Sequence, residues 1–346
     1  MRFKIFLHKL LNKEYWPSFL IYFPLFPVWV YYSIKARSLL FLSAANPGIE
    51  YSGIFLERKS RIHEILPPAY TPQTILINPL QTTAAGLIEL LQQASFEFPF
   101  FAKPDIGEKG TGVKKINTES DIVDYHARQK APYLIQAFIP YEHEAGVFFI
   151  RQPNRSKGVV SGIVYKELPH VTGNGRDPVR QLAFSDIRYA MQKESIEKLS
   201  PDTLNQIPAD GERVALLSYG NHARGAKFYD YSFKISPELE QTMNKVCGAI
   251  PGFYYGRLDI KFDNWEDFAR GKNFAIVELN GSGADPTHIF DPSLSLISVW
   301  KIIITHWHGL YQVASYLHKH QQVPYMTVKA YFSLRKKYKA YLKTIK

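Results

Sequence analysis

NFAIVELNGSGADPTH, residues Asn273 to His288, decides how this chain is read. Along AIVELN, Val277 and Leu279 alternate with Glu278 and Asn280. A strand here buries two apolar side chains and aims a carboxylate and an amide at the opposite side. The stretch GRLDIKF upstream has the same period, with Leu258, Ile260 and Phe262 on one face and Arg257, Asp259 and Lys261 on the other. Paired antiparallel, the two strands bring Asp259, Glu278 and Asn280 together as hard oxygen donors, a set suited to Mg²⁺ shared with phosphates. Arg257 stands beside them, placed for developing negative charge. Either strand alone reads equally well as an amphipathic strand with a solvated polar face. The turn that follows, Asn-Gly-Ser-Gly, tips the balance, because its backbone N–H groups can bind an anion next to the metal.

The chain around this stretch has 346 residues, 46% hydrophobic and 21% charged, which is a folded composition with room for two or three subdomains. Its one cysteine, Cys247, excludes an internal disulfide and a cysteine zinc site, and reads as a small buried hydrophobe in a reducing compartment. The net charge of +11 sits at the ends. Residues 1–49 hold six Lys/Arg against one Glu, and residues 292–346 hold nine Lys/Arg and no acid, so the middle is slightly acidic. That distribution argues against a nucleic-acid reader and suits an anionic membrane surface better.

The N-terminal helix pattern places Arg2, Lys4, Lys9 and Lys13 among Phe and Leu, and Tyr15–Ile34 then runs 20 residues without a charge. Pro17, Pro24 and Pro27 interrupt it and nine of its residues are aromatic, which leaves three readings: an interfacial anchor, a buried hydrophobic lobe or a membrane span. Ser43–Gly53 is a turn-rich loop, either a plain connector or a reach toward a substrate with Asn46 and Glu50 as contacts. Lys59–Ile65 reads as a short helix stopped by Pro67. Gln81–Ala94 reads as a second helix, and Thr118–Lys130 as one capped by Thr118.

From Phe98, an apolar strand ends at Lys103 and leads into a loop with Gly107, Gly110 and Gly112 and a second strand, Val113–Ile116. Glycines this dense let backbone N–H groups approach a polyphosphate, and the lysine adds a point charge, although the spacing is not that of a Walker loop. Tyr133–Ile139 reads as a strand ending at a hinge, with Glu142 and Glu144 beyond it. GVVSGIVYKEL alternates as a strand, and NHARGAK groups His222, Arg224 and Lys227 around a glycine. His306 and His308, two apart on an apolar helix, do not share a face, so they are a poor metal pair. The C-terminal AYFSLRKKYKAYLKTIK lines up Tyr331, Leu334, Tyr338, Tyr341, Leu342 and Ile345 along one stripe, for docking on the body or on a membrane surface.

In this order, the strand-end lysine with its glycine hairpin, the hinge followed by acids, GNG, the basic cluster, R-x-D and E-x-N-G resemble the ATP-grasp superfamily, and within it the carboxylate-amine ligases. The resemblance runs from about Lys59 to Ile304. It implies an α+β fold in which two subdomains clasp ATP, with a hydrophobic N-terminal segment (1–55), a small lobe with the flap (56–139), a metal-bearing lobe (140–310) and a basic C-terminal helix (311–346). It also implies nucleotide contacts from Lys59, Lys103, Gln136, the backbone of Ala137, Phe138 and Ile139, and Glu144 for the ribose, with Gly107, Gly110 and Gly112 forming the flap. Asp259, Glu278 and Asn280 would hold magnesium, two ions in all. Arg257, with Arg224 or Lys227, would offset charge on the acyl phosphate and tetrahedral species.

Three departures stand out. Gln136 replaces the hinge glutamate, HVTGNGRDPVRQL carries Asn174 for an aspartate, and the segment before Lys59 is too short and too hydrophobic for the usual acceptor-binding domain. The implied activity is a Mg-ATP-dependent ligase for small-molecule, peptide or lipid-linked carboxylates and amines, in the cytoplasm or at the inner membrane face. The alternatives are an ATP-grasp kinase acting on a hydroxyl and a nucleotide-binding membrane scaffold without turnover.

Overall fold

The structure, a computed structural model, describes residues 2–107, 110–216 and 225–344. Its organising fact is that two antiparallel sheets face each other across a cleft. The smaller sheet comprises β1 (Thr74–Ile77), β2 (Phe100–Pro104), β3 (Lys114–Ile116) and β4 (Tyr133–Ala137), in the order β1-β4-β2-β3. The larger comprises β5 (His143–Ile150), β6 (Val159–Glu167), β9 (Lys227–Asp230), β10 (Tyr255–Phe262) and β11 (Phe274–Asn280), in the order β11-β10-β5-β6-β9. A short pair, β7 (His170–Thr172) and β8 (Arg213–Ala215), stands apart with its own apolar cluster around Val171, Val179 and Leu216.

Strand alternation sorts each sheet into a core face and a cleft face. In the smaller sheet Phe100, Ala102, Ile116, Tyr133 and Ile135 pack on Leu87, Leu91 and Ile122 from the helices Ala84–Gln93 and Glu119–Arg128. Those helices start where Thr83 and Thr118 accept hydrogen bonds from the first-turn N–H groups of Gly86 and Asp121. In the larger sheet Ala145, Val147, Phe149, Leu258, Ile260 and Phe262 pack on Leu239, Met243, Val246 and Cys247 of the helix Pro237–Gly248. Burial pushes the Cys247 thiol well up, so the cysteine is an inert core residue. The opposite face of this sheet is only half covered. At the end bearing Phe148 and Tyr255 it packs under Leu310, Val313, Ala314 and Leu317 of the long helix Leu296–Gln321. The other end carries the charged residues and is left for the cleft.

The uncharged N-terminal stretch folds as two helices, Ser18–Tyr22 and Phe26–Ala36, broken at the 3₁₀ turn Phe23–Leu25 where the prolines remove backbone donors. Ile21, Leu25 and Tyr32 are buried against the body, whereas Phe19, Phe23, Phe26 and Ile34 face out. Of the three readings of this stretch, the lobe packed on one side describes its inner face. Buried Glu14 pairs with Arg188 at 2.6 Å and fastens the segment to the body.

In the Ser43–Gly53 loop, read either as a plain connector or as a reach toward a substrate, both named side chains bind within the protein. Asn46 is fully buried: its side chain donates to Ser52 O and Tyr255 O and accepts from the N–H groups of Tyr254 and Tyr255, while Glu50 binds Arg58. This loop runs so close to the turn after β11 that a Cβ on Gly281 would lie 2.4 Å from Ser52 O. Glycine at 281 is therefore a packing requirement. The C-terminal helix Val328–Thr344 docks its expected stripe, with Tyr331 and Tyr338 against Phe55 and Tyr341 against the backbone of Ile106. Ile345 lies outside the described residues.

Candidate active site

β10 and β11 pair antiparallel with Arg257 opposite Asn280 and Asp259 opposite Glu278, so all four polar side chains share one face. Asn280 Nδ2 lies 3.5 Å from Asp259 Oδ2. The expected alternation slips at one point. A bulge between Asp259 and Ile260 pairs Ile260 with Ile276, so Ile276 and Leu279 are the buried residues while Val277 is half-exposed and lines the cleft. The extra residue keeps Glu278 on the polar face despite the odd spacing.

Asp259 is the most enclosed of the set, and cations surround it. Arg257 Nε donates to its Oδ1 at 2.9 Å and Nη2 to its Oδ2 at 3.2 Å, and Lys166 Nζ lies 3.2 Å from Oδ2. Burial pushes the Asp259 carboxyl up, but Arg257 and Lys166 outweigh it and hold the group down at about 2. Lys166 also binds Glu144 at 2.9 Å, and these two acids keep it charged against burial. Breaking one partner out of such a buried group costs about 3–5 kcal/mol. Gly146 makes this density possible, since a Cβ there would lie 2.8 Å from Val164 Cγ1, 2.9 Å from Arg257 Cδ and 3.0 Å from Asp259 Oδ1.

Across the cleft, Lys59 opens the helix Lys59–Ile65 and reaches Glu278 Oε1 at 2.7 Å. Burial opposes its charge, yet Glu278 raises its pKa on balance. Lys103 on β2 is less well provided for. It shares the cleft face of the smaller sheet with Gln136 and donates to Gln136 Oε1 at 2.9 Å, while Gln136 Nε2 donates to Thr74 Oγ1 at 3.1 Å. A neutral amide does not balance an ammonium, and burial together with the nearby Lys59 brings Lys103 down to about 8. The cleft between these groups is lined by Lys59, His63, Thr74, Lys103, Gln136 and Glu278.

The remaining expected site residues fall unevenly. Phe138 and Ile139 follow β4 at the edge of the smaller sheet, with the Phe138 ring stacked on Phe101. Ala137 differs from the expectation, because its N–H is already spent on Gln73 O at 2.9 Å. Glu144 is buried and committed to Lys166 rather than held open. Gly107, Gly110 and Gly112 flank the β2–β3 turn, and Gly110 and Gly112 adopt left-handed φ of 70° and 74°. Lys227 opposes Glu167 at the start of β9, on the face opposite Lys166, so strand alternation turns it away from Asp259. Arg224 and His222 lie outside the described residues. Asn174 closes its own loop by accepting from the N–H groups of Arg176 and Asp177. His306 and His308 bond separate partners, Ser161 and Tyr32.

Lys166 is the site residue that the sequence reading missed. Its signal was present in GVVSGIVYKEL: Gly162, Val164 and Lys166 share one strand face, and a lysine that follows a glycine and a valine on a face is a buried lysine in need of acids.

Among the described residues no cluster of three His, Cys, Asp or Glu stands ready for a metal. The donor set here is instead two carboxylates and an amide, hard oxygens that fit Mg²⁺ completed by phosphates and water. Glu278 is the half-exposed member, open toward the cleft.

Two antiparallel sheets face each other across a cleft, with lysines from the small lobe opposite an Asp, Glu and Asn set on the large one, the arrangement that the resemblance to ATP-grasp proteins implies. No family model matches the chain. In sequence it is similar to the glutathione biosynthesis bifunctional protein of Clostridium perfringens, with 28% identity over 147 residues that cover 38% of this chain and 19% of that protein. It is 25% identical over 228 residues to the protein of the same description from Desulfotalea psychrophila, covering 57% of this chain and 28% of the relative. The chain therefore spans less than a third of these curated relatives. Among solved structures it is similar to a bifunctional glutathione synthetase from Pasteurella multocida, with a TM-score of 0.42 and 14% identity over 77% of this chain and 38% of that one.

Proposed function

We propose that the chain is a Mg-ATP-dependent ligase that joins a carboxylate to an amine through an acyl phosphate. One observation carries the reading: Arg257, Asp259, Glu278 and Asn280 share one sheet face and meet Lys59 and Lys103 from the opposite side of one cleft. The sequence similarity to two glutathione biosynthesis proteins supports the same class of chemistry.

A carboxylate is a poor electrophile. Its oxygen attacks the γ-phosphorus of ATP, the bond to the bridging oxygen breaks and ADP leaves with that electron pair. The amine nitrogen then attacks the acyl carbon, the bond to phosphate oxygen breaks, inorganic phosphate departs, and the amine proton passes to solvent. Lys103 and Lys59 offset the charge of the triphosphate, and Arg257 faces the acyl oxygen as charge develops on it. Asp259, Glu278 and Asn280 would hold magnesium, whose contribution when bound is to polarise and align the phosphates. Lys166 touches no reactant; it fixes Asp259 and Glu144 and is a positioning residue. The sheet geometry supplies orientation, a saving that matters in a reaction of three substrates.

The expected outcome is ADP and phosphate release that requires both a carboxylate and an amine, with the amide recovered by mass spectrometry. Glu278→Gln should lower turnover by at least about 100-fold, as loss of a group that stabilises transferring charge does. A phosphorylated hydroxyl product without amide would make the chain a kinase instead.

A further inference from the structure

A second cavity, about 970 Å³ including its open mouth, lies beyond Arg257 between the turn after β11, the long helix and the N-terminal helices. Its walls are apolar and largely aromatic: Tyr22, Trp29, Leu42, Ile303, Trp307 and Leu310. The rings brace one another, with Tyr22 stacked on Trp307 at 6.0 Å and Trp29 edge-on to Trp307 at 5.1 Å. Half of this wall comes from the N-terminal segment, which lies outside the stretch that resembles the ligases.

Three polar features break the apolar lining. Asp285, exposed at the mouth, accepts from the Tyr22 hydroxyl at 2.6 Å, and its backbone oxygen accepts from Arg257 Nη1 at 3.0 Å. Ser282 lines the cavity, is 4% exposed, and its Oγ has no hydrogen-bond partner among the described residues. His306 is already satisfied, by Ser161 and by Ile302 O, and burial brings it down to about 4, so it is neutral. Among the described residues, Asp285 is thus the one formal charge on the lining. A buried hydroxyl without a partner marks a place where a ligand polar group belongs. A carboxylate at the entrance of an aromatic pocket selects a cation with an apolar body.

We propose that this cavity seats the amine substrate, a primary amine carrying an aromatic or branched apolar group, with its ammonium at Asp285 and its body among Tyr22, Trp29 and Trp307. The inference rests on the ligase reading, because the tie from Asp285 to Arg257 is what sets the amine beside the acyl phosphate. Asp285 holds the ammonium for binding, the ammonium then loses one proton to solvent at the exposed mouth to give the neutral nitrogen that attacks, and Ser282 offers the second contact to its N–H.

The test uses the full chain and three probes: phenethylamine, n-butylamine and 3-phenylpropionate, titrated calorimetrically and by tryptophan fluorescence, which reads Trp29 and Trp307. Phenethylamine should bind at least tenfold more tightly than either other probe. Asp285→Asn should weaken it at least fivefold, and so should Ser18→Trp, a substitution at the exposed rim that plugs the mouth without touching the core. A Mg-ATP analogue should bind both variants as it binds wild type, which separates this pocket from the nucleotide site and confirms folding. Equal binding of the amine and carboxylate probes, or phenethylamine affinity unmoved by both substitutions, overturns the inference while leaving the ligase reading in place. A wild-type chain that binds phenethylamine but no Mg-ATP overturns the ligase reading and, with it, the substrate role.

Discussion

Lys103 and Gln136 form the pair from which the chemistry of the cleft can be tested most finely. Where a glutamate at 136 would balance the lysine, the amide leaves it to burial and to Lys59, and its pKa falls to about 8. A triphosphate binds the protonated form. Affinity for an ATP analogue should therefore be full below pH 8 and weaken as pH rises through 8, by up to about tenfold per pH unit. His63, the neighbouring titratable group on this wall, is held below its usual value by burial and Lys103, so it is already neutral across that window. Titrations between pH 6.5 and 9.5 should show the break in wild type, no break in Lys103→Met, and a break moved upward in Gln136→Glu. A flat wild-type profile would place the phosphates elsewhere. At this scale the strand positions of Lys103, Asp259, Glu278 and Asn280 were legible in the sequence, because each stands at a strand position whose neighbours are apolar. It did not show that Glu144 and Asp259 are joined by Lys166, because that contact spans two strands of a sheet whose register no local pattern fixes.

Among the elements, the bulged β10–β11 pair and Gly146 on β5 carry the site. Gly146→Ala would press a methyl group into Val164, Arg257 and Asp259, and the last two cannot yield without moving the ion group. The expected effect is a stability loss of about 1–3 kcal/mol by denaturant titration, with the proposed ligase turnover reduced further than stability alone explains. Activity and stability equal to wild type would mean that the face is looser than drawn. Period-two patterns gave most strands to within a residue or two, and Thr118 and the stop at Pro67 gave helix ends, because those signals are local. The bulge that exchanges Val277 for Ile276 was not legible. A bulge depends on the partner strand, and AIVELN is apolar enough to satisfy either phase.

For the whole molecule, the physical account is one of two sheets with ionised cleft faces, Lys103 on the smaller and Asp259 and Glu278 with their own cations Arg257 and Lys166 on the larger. Lysines on one wall and carboxylates on the other meet through a single contact, Lys59 to Glu278, among the ion pairs of the described residues that cross the cleft. That architecture was readable from the order of motifs. The placement of the N-terminal helices was not, since composition alone does not separate an interfacial anchor, a buried lobe and a span; their inner face packs on the long helix, met far along the chain, while Phe19, Phe23, Phe26 and Ile34 stay exposed. The account predicts that calorimetric titration with a non-hydrolysable ATP analogue yields binding strengthened at least tenfold by Mg²⁺ in wild type, with that magnesium enhancement lost in Glu278→Gln. Binding that ignores magnesium, or a Glu278→Gln chain that keeps the full enhancement, would contradict it.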